Sequence, residues 1–147
     1  MRSALLTVTT ALTVCSTSVS AIAQDAYLCV ADAATGMSYS EATKQWQPTT
    51  FNSADIKYLS RKAKVGEKFA TIEYKWALFP LGSLVPITWC KSDFSETGTI
   101  FCPAVVMLHL NRKNLRYQLV HQVGYVAPEG REGSATPYIE IGECSPV

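Results

Sequence analysis

Leu115-Arg116-Tyr117-Gln118-Leu119-Val120-His121-Gln122-Val123-Gly124-Tyr125 is the stretch that decides the fold class. Leu115, Tyr117, Leu119, His121, Val123 and Tyr125 fall on one side of an extended chain, and Arg116, Gln118 and Gln122 on the other. That period of two marks a strand half-buried against a core. Working outward, Ala70-Thr71-Ile72-Glu73-Tyr74-Lys75-Trp76 repeats the alternation and predicts another strand. Residues 105–110 precede the first stretch across Asn111-Arg112-Lys113-Asn114, which predicts an antiparallel pair, and residues 137–141 read as a last short strand. Turns are expected at Ala34-Thr35-Gly36, Val65-Gly66-Glu67 and Leu81-Gly82-Ser83, with a polar loop over residues 127–136. Residues 53–65 fit either a helix capped by Ser53, with Ile56, Leu59 and Ala63 on one side, or a strand over 56–62. The strand is favoured by its neighbours. Together these segments predict a mainly β chain, a small antiparallel β-barrel or β-sandwich.

Residues 1–23 read as a cleaved signal peptide. Arg2 is followed by an uncharged run rich in Leu, Val, Ala and Thr that ends in Ala21-Ile22-Ala23. Small side chains one and three residues before the cut suit the shallow pocket of a signal peptidase, so cleavage is expected before Gln24. The run is diluted by Thr and Ser, whereas a spanning helix wants about 20 predominantly apolar residues. Val14 stands where a lipid-attachment box ending at Cys15 would hold a small residue. The expected product is a single β-rich domain, residues 24–147, periplasmic or secreted, with no membrane span.

Of 13 basic residues only Arg2 leaves with the leader, so 12 basic face 12 acidic ones. A nucleic-acid surface needs an excess of Lys and Arg on one face, so no nucleic-acid partner is expected. The local group Lys57, Arg61, Lys62, Lys64 and Lys68 reads as a solvated face.

Four of the five cysteines follow the leader: Cys29, Cys90, Cys102 and Cys144. In an exported chain an even set reads as two disulfides, hence an oxidising compartment. Three pairings are possible, and two arguments favour Cys90 with Cys102 and Cys29 with Cys144. The polar, Gly-containing segment between Cys90 and Cys102 suits a hairpin turn that would bring those two together. Cys29 and Cys144 lie near the ends of the mature chain, and the termini of compact domains are often close. Chain entropy gives the short loop roughly 3 kcal/mol and the long one roughly 5 kcal/mol.

No motif identifies a reaction. His121 lies on the apolar side of its strand, where a general base could sit, but so could a core histidine donating to a backbone carbonyl. His109 shares a face with Val105 and Met107 and is expected nearer the surface. No Gly-x-Ser-x-Gly elbow or phosphate-cradling loop is present, and Gly130-Arg131-Glu132-Gly133-Ser134 is a polar loop. Glu73, Glu140 and Glu143 could supply a carboxylate pair, with nothing to select one. No two cysteines stand two to four residues apart and neither histidine joins them, so no metal and no cofactor are expected. The fifteen uncharged residues from Trp76 to Cys90 must contribute core. Pro80, Gly82 and Pro86 make 81–85 a connection, either folded over the barrel end or left as a docking surface. Leu81, Leu84 and Val85, with Glu129, Arg131 and Glu132 of the polar loop, are the candidate binding residues.

Leu28-Cys29-Val30-Ala31-Asp32 with Thr35-Gly36, Leu115-Arg116-Tyr117 with Gly124-Tyr125, and the tail Thr136-Pro137-Tyr138-Ile139-Glu140-Ile141-Gly142-Glu143-Cys144 carry a resemblance. They resemble a family of short exported bacterial proteins, two-disulfide and β-rich, to which no activity is attached. The resemblance implies export and a shared compact fold, and no catalytic residues. A second likeness is to periplasmic lysozyme inhibitors, small disulfide-bonded barrels that present a Ser-Gly loop and a nearby Tyr to the enzyme. Here Gly133-Ser134-Ala135-Thr136-Pro137-Tyr138 departs from that order and spacing, so the likeness is one of architecture. The expected function is a non-enzymatic envelope or secreted binding module, its partner a protein or envelope component. The competing class is a small hydrolase using His121 or paired carboxylates.

Overall fold

The computed structural model describes residues 24–128 and 133–147. The expected signal peptide, and with it the cleavage site, lies outside the described residues, as do Glu129, Arg131 and Glu132. The described residues hold eleven strands and no helix: β1 (Ala26–Ser40), β2 (Gln45–Phe51), β3 (Lys57–Lys62), β4 (Lys68–Phe69), β5 (Ile72–Glu73), β6 (Trp76–Pro80), β7 (Thr88–Cys90), β8 (Thr99–Cys102), β9 (Val106–Asn111), β10 (Arg116–His121) and β11 (Tyr138–Pro146). Nine of them form one antiparallel sheet in the order β7-β6-β3-β1-β11-β10-β9-β8, with β2 added alongside β1. The sheet curls into a nearly closed barrel, and the two disulfides are Cys29–Cys144 and Cys90–Cys102. Residues 57–62 are strand.

The barrel interior is filled by alternate residues of each strand, as the pleat requires. Tyr27, Tyr58, Trp76, Leu78, Ile100, Leu108, Leu110, Tyr117 and Leu119 pack there with all four cysteines. Cys29 and Cys144 face each other across the β1–β11 ladder, their Cα atoms 3.9 Å apart. The other bridge does a different job. Among the described residues no ladder joins β7 to β8, the two edges of the sheet, and Cys90–Cys102 ties those edges together. The expected hairpin between these cysteines is therefore corrected. The turn at Ser95–Gly98 leads into β8, which pairs with β9, and the cysteines meet because the sheet comes round to meet itself.

Three further expectations are corrected. The strand over 70–76 is broken: Ala70 has φ 54° and sits with Thr71 in the tight turn between β4 and β5. Beyond that hairpin the chain crosses faces. Tyr74 packs outside the barrel with Ala77 and Phe79, while Trp76 enters the interior. The strand from Leu115 stops at His121, and Val123 and Tyr125 are exposed. Ala34-Thr35-Gly36 is mid-strand rather than a turn. Gly36 is there because β11 closes on it: a Cβ at this position would collide with the Pro137 carbonyl oxygen.

One feature of β1 sets up the site. Its first half, from Ala26 to Val30, pairs with β3, and its second half, from Ala34, pairs with β2 on the same edge. Between them a bulge at Asp32 interrupts the β11 register. The junction is held by Ala31 N–H donating to the Ile56 carbonyl at 3.1 Å and Ser53 Oγ donating to the Asp32 carbonyl at 3.0 Å. The strands β2 and β3 thus diverge from a common neighbour.

Candidate functional site

Where β2 and β3 diverge, a cavity of about 330 Å³ opens into the barrel. Ala34, Phe51, Ile56 and the rings of Tyr58 and Tyr138 make its walls, and its polar groups are Thr136, the two phenols and Glu140. Glu140 is a carboxyl at 1% exposure. Parity along β11 puts it there: Tyr138, Glu140, Gly142 and Cys144 face inward, and Ile139 and Ile141 face out at 45% and 50% exposure. This inverts the usual assignment of Ile to the core and Glu to solvent.

Two phenols hold the carboxyl. Tyr117 on β10 donates to Oε1 at 2.8 Å, and Tyr58 on β3 donates to Oε2 at 3.2 Å. Their rings meet edge to face, 6.2 Å between centroids. Tyr117 reaches Glu140 because its register partner is Gly142, where a Cβ would lie 2.6 Å from Tyr117 Cε1. Among the described residues no Lys or Arg is paired with Glu140. Burial raises its proton affinity above the ordinary carboxyl range, and the two donated hydrogen bonds oppose that rise. Burial, then the nearby Glu140 charge, push the Tyr58 and Tyr138 phenols up. For Tyr117 the causes are burial and then its hydrogen bond to Glu140. All three phenols therefore stay neutral.

A second hollow, about 480 Å³, adjoins the first and shares Ile56, Tyr58 and Tyr138 as walls. Pro80, Leu81 and Ile87 line it, with Asp55 and Lys57 at its polar side. A larger concavity of about 540 Å³ lies on the outer face around His109, Arg116, Gln118 and Ile141. Its charged groups are solvated, the 3.8 Å Arg116–Glu143 pair being more than two-thirds exposed on both sides. Charge acts weakly in such a place, and more strongly at the buried Glu140.

The residues singled out in the sequence are scattered. Leu81 lines the second hollow, while Leu84 and Val85 stand in solvent at 95% and 60% exposure, so the 81–85 connection does not fold over the barrel end as core. His121 Nδ1–H donates to the Thr136 carbonyl at 2.8 Å, and its ring lies 5.4 Å from that of Tyr138, the arrangement of a structural histidine. His109 is exposed against Phe101. The three carboxylates do not converge. Glu73 pairs with Lys68 on the small β4–β5 sheet, and Glu143 points away from Glu140. Among the described residues no group of His, Cys, Asp and Glu could hold a metal ion.

The Tyr58–Glu140–Tyr117 grouping was not identified from the sequence, although one signal could have found it. If Cys144 is inward to reach Cys29, then Glu140, an even number of residues away, is inward too. The apolar character of Ile139 and Ile141 argued the other way. No family model, curated protein or solved structure matches this chain.

Proposed function

We propose that this chain is an exported, non-enzymatic binding protein of the periplasm or the secreted fraction, and that it receives a small molecule in the cavity at Glu140. The observation that carries the reading is a buried carboxyl lining an aromatic cavity where β2 and β3 diverge from β1. Ligand sites are typically concave and apolar with a few placed polar groups, about 300–1,000 Å³ in volume. Two disulfides fit an oxidising compartment, and the leader-like residues 1–23 fit export. Binding rather than turnover is favoured because both Glu140 oxygens already accept from phenols and His121 is tied to a carbonyl.

The test is retention. The full chain is expressed with its leader in an oxidising compartment, incubated with small-molecule extract of the source cell, desalted and denatured, and the released species are read by mass spectrometry. Ala34→Leu, which fills the cavity wall, should release less of the retained species than the wild type. Equal recovery from both proteins would sink the reading. The intact mass of the same material should begin at Gln24; a mass beginning at Met1, or one carrying lipid on Cys15, would remove the export half. The exposure of Leu84 and Val85 favours a second reading, a protein partner docking on 81–85. Replacing both with Ser would then abolish partner capture and leave small-molecule retention intact.

A further inference from the structure

We propose that the Glu140 cavity takes a small organic cation, an alkylammonium or quaternary ammonium group, with its apolar tail lying over Tyr58 and Tyr138 into the hollow at Pro80, Leu81 and Ile87. This rests on the reading of that cavity as a binding site and adds the chemistry of its ligand.

The argument begins with the valences of the carboxyl. An ionised carboxylate offers about four acceptor positions. The phenols of Tyr117 and Tyr58 take one on each oxygen, and Glu140 is among the residues that line the cavity. Both neighbours are assigned as donors, which favours the anion, whereas burial penalises it. What the arrangement lacks is a compensating positive charge, and among the described residues no cation lines this cavity. A buried carboxylate without an opposite charge is costly even when hydrogen-bonded, and the cost is relieved when a cation enters.

The walls match the same ligand. Phe51 from β2, Tyr58 from β3 and Tyr138 from β11 line one cavity, with Phe51 and Tyr138 edge to face at 6.4 Å between centroids. Aromatic faces with a carboxylate attract ammonium groups through the ring quadrupole and exclude anions. No lysine or arginine lines the cavity itself to recruit a carboxylate or phosphate ligand; Lys57 lines only the adjoining hollow, together with Asp55. The adjoining hollow sets the shape of the rest: its shared walls, Ile56, Tyr58 and Tyr138, continue into Pro80, Leu81 and Ile87, which accept hydrocarbon. A few carbons attached to the charged head would therefore stay out of water.

Three probes with the same tail and different heads test this by calorimetry at pH 8 on the full oxidised chain: hexyltrimethylammonium, hexan-1-ol and hexanoate. The wild type should bind the cation at least ten-fold more tightly than the alcohol and give no signal with hexanoate. Glu140→Gln, checked for folding by near-ultraviolet circular dichroism, should bring the cation and the alcohol to within about two-fold. Phe51→Leu keeps apolar volume and removes a ring face. It should weaken the cation by about three- to ten-fold and leave the alcohol unchanged, which tests the idea even where the Gln variant fails to fold. Alcohol or hexanoate binding as tightly as the cation, or an undiminished cation preference in folded Glu140→Gln, overturns the cation and keeps the cavity as a binding site. No binding of any probe to the wild type, or undiminished binding to Ala34→Leu, overturns both.

Discussion

Glu140 and Glu67 carry opposite pH signatures. Arg61 holds the Glu67 carboxylate with two hydrogen bonds of 2.6 and 2.7 Å, and Lys64 N–H adds a third. These bonds draw the Glu67 carboxyl down to about 2. A depressed carboxyl stabilises the fold above its unfolded value near 4.5, and that contribution is lost as pH falls towards 2. Glu140 runs the other way. Its folded proton affinity is raised, so unfolding releases a proton at pH values between about 4.5 and the raised value, and stability falls as pH rises through that window. The groups facing Glu140 are the phenols of Tyr58, Tyr117 and Tyr138, which stay neutral there. Melting temperatures from pH 2 to 8 should show Glu140→Gln gaining on the wild type as pH rises through the window above 4.5. Glu67→Gln should lose its deficit as pH falls. A constant offset for either variant would refute its sign.

At the scale of elements, β11 shows what was legible and what was not. A last short strand was expected over residues 137–141 and is there as the start of β11, but Tyr138 and Glu140 face in while Ile139 and Ile141 face out, against their hydrophobicity. Hydrophobicity indicates that two faces exist, and here the disulfide partner decides which of them is inside. The β9–β10 hairpin was legible because Asn111 to Asn114 are polar, the flank before them is a short apolar run and the flank after them alternates cleanly. β1 was not, since fifteen residues serving three neighbours show no single period, and its Gly36 imitates a turn. The strand over 70–76 failed because the alternation continues through Tyr74 while the backbone leaves one face for the other. Gly142 is the residue on which β11 meets the site. Gly142→Ala would drive a methyl group into the Val30 carbonyl and the Tyr117 ring. It should cost about 2–3 kcal/mol in urea unfolding and shift the Tyr117 ring signals in NMR spectra. Wild-type stability with unchanged Tyr117 signals would show that the close approach is unimportant.

For the whole molecule, the Cys90–Cys102 bridge stands where a ladder would close the barrel, so its removal should be felt along the sheet edges first. Cys90→Ser with Cys102→Ser is expected to lose roughly 3 kcal/mol by the loop-entropy argument. Amide exchange should accelerate in β7 and β8 well before β1 and β11, which keep the Cys29–Cys144 bridge. Uniform acceleration across all strands would mean that the bridge constrains only the unfolded chain. The divergence of β2 and β3 from β1 has a different implication. Residues 52–56 form the short connection between the two diverging strands, and of them only Ile56 lines the cavity. Descendants of this sequence could lengthen or shorten that connection and so admit larger or smaller guests, while Glu140 and its phenols are inherited unchanged. On the proposed reading, selectivity for size and selectivity for charge would be encoded in separate stretches of sequence, free to evolve on independent schedules.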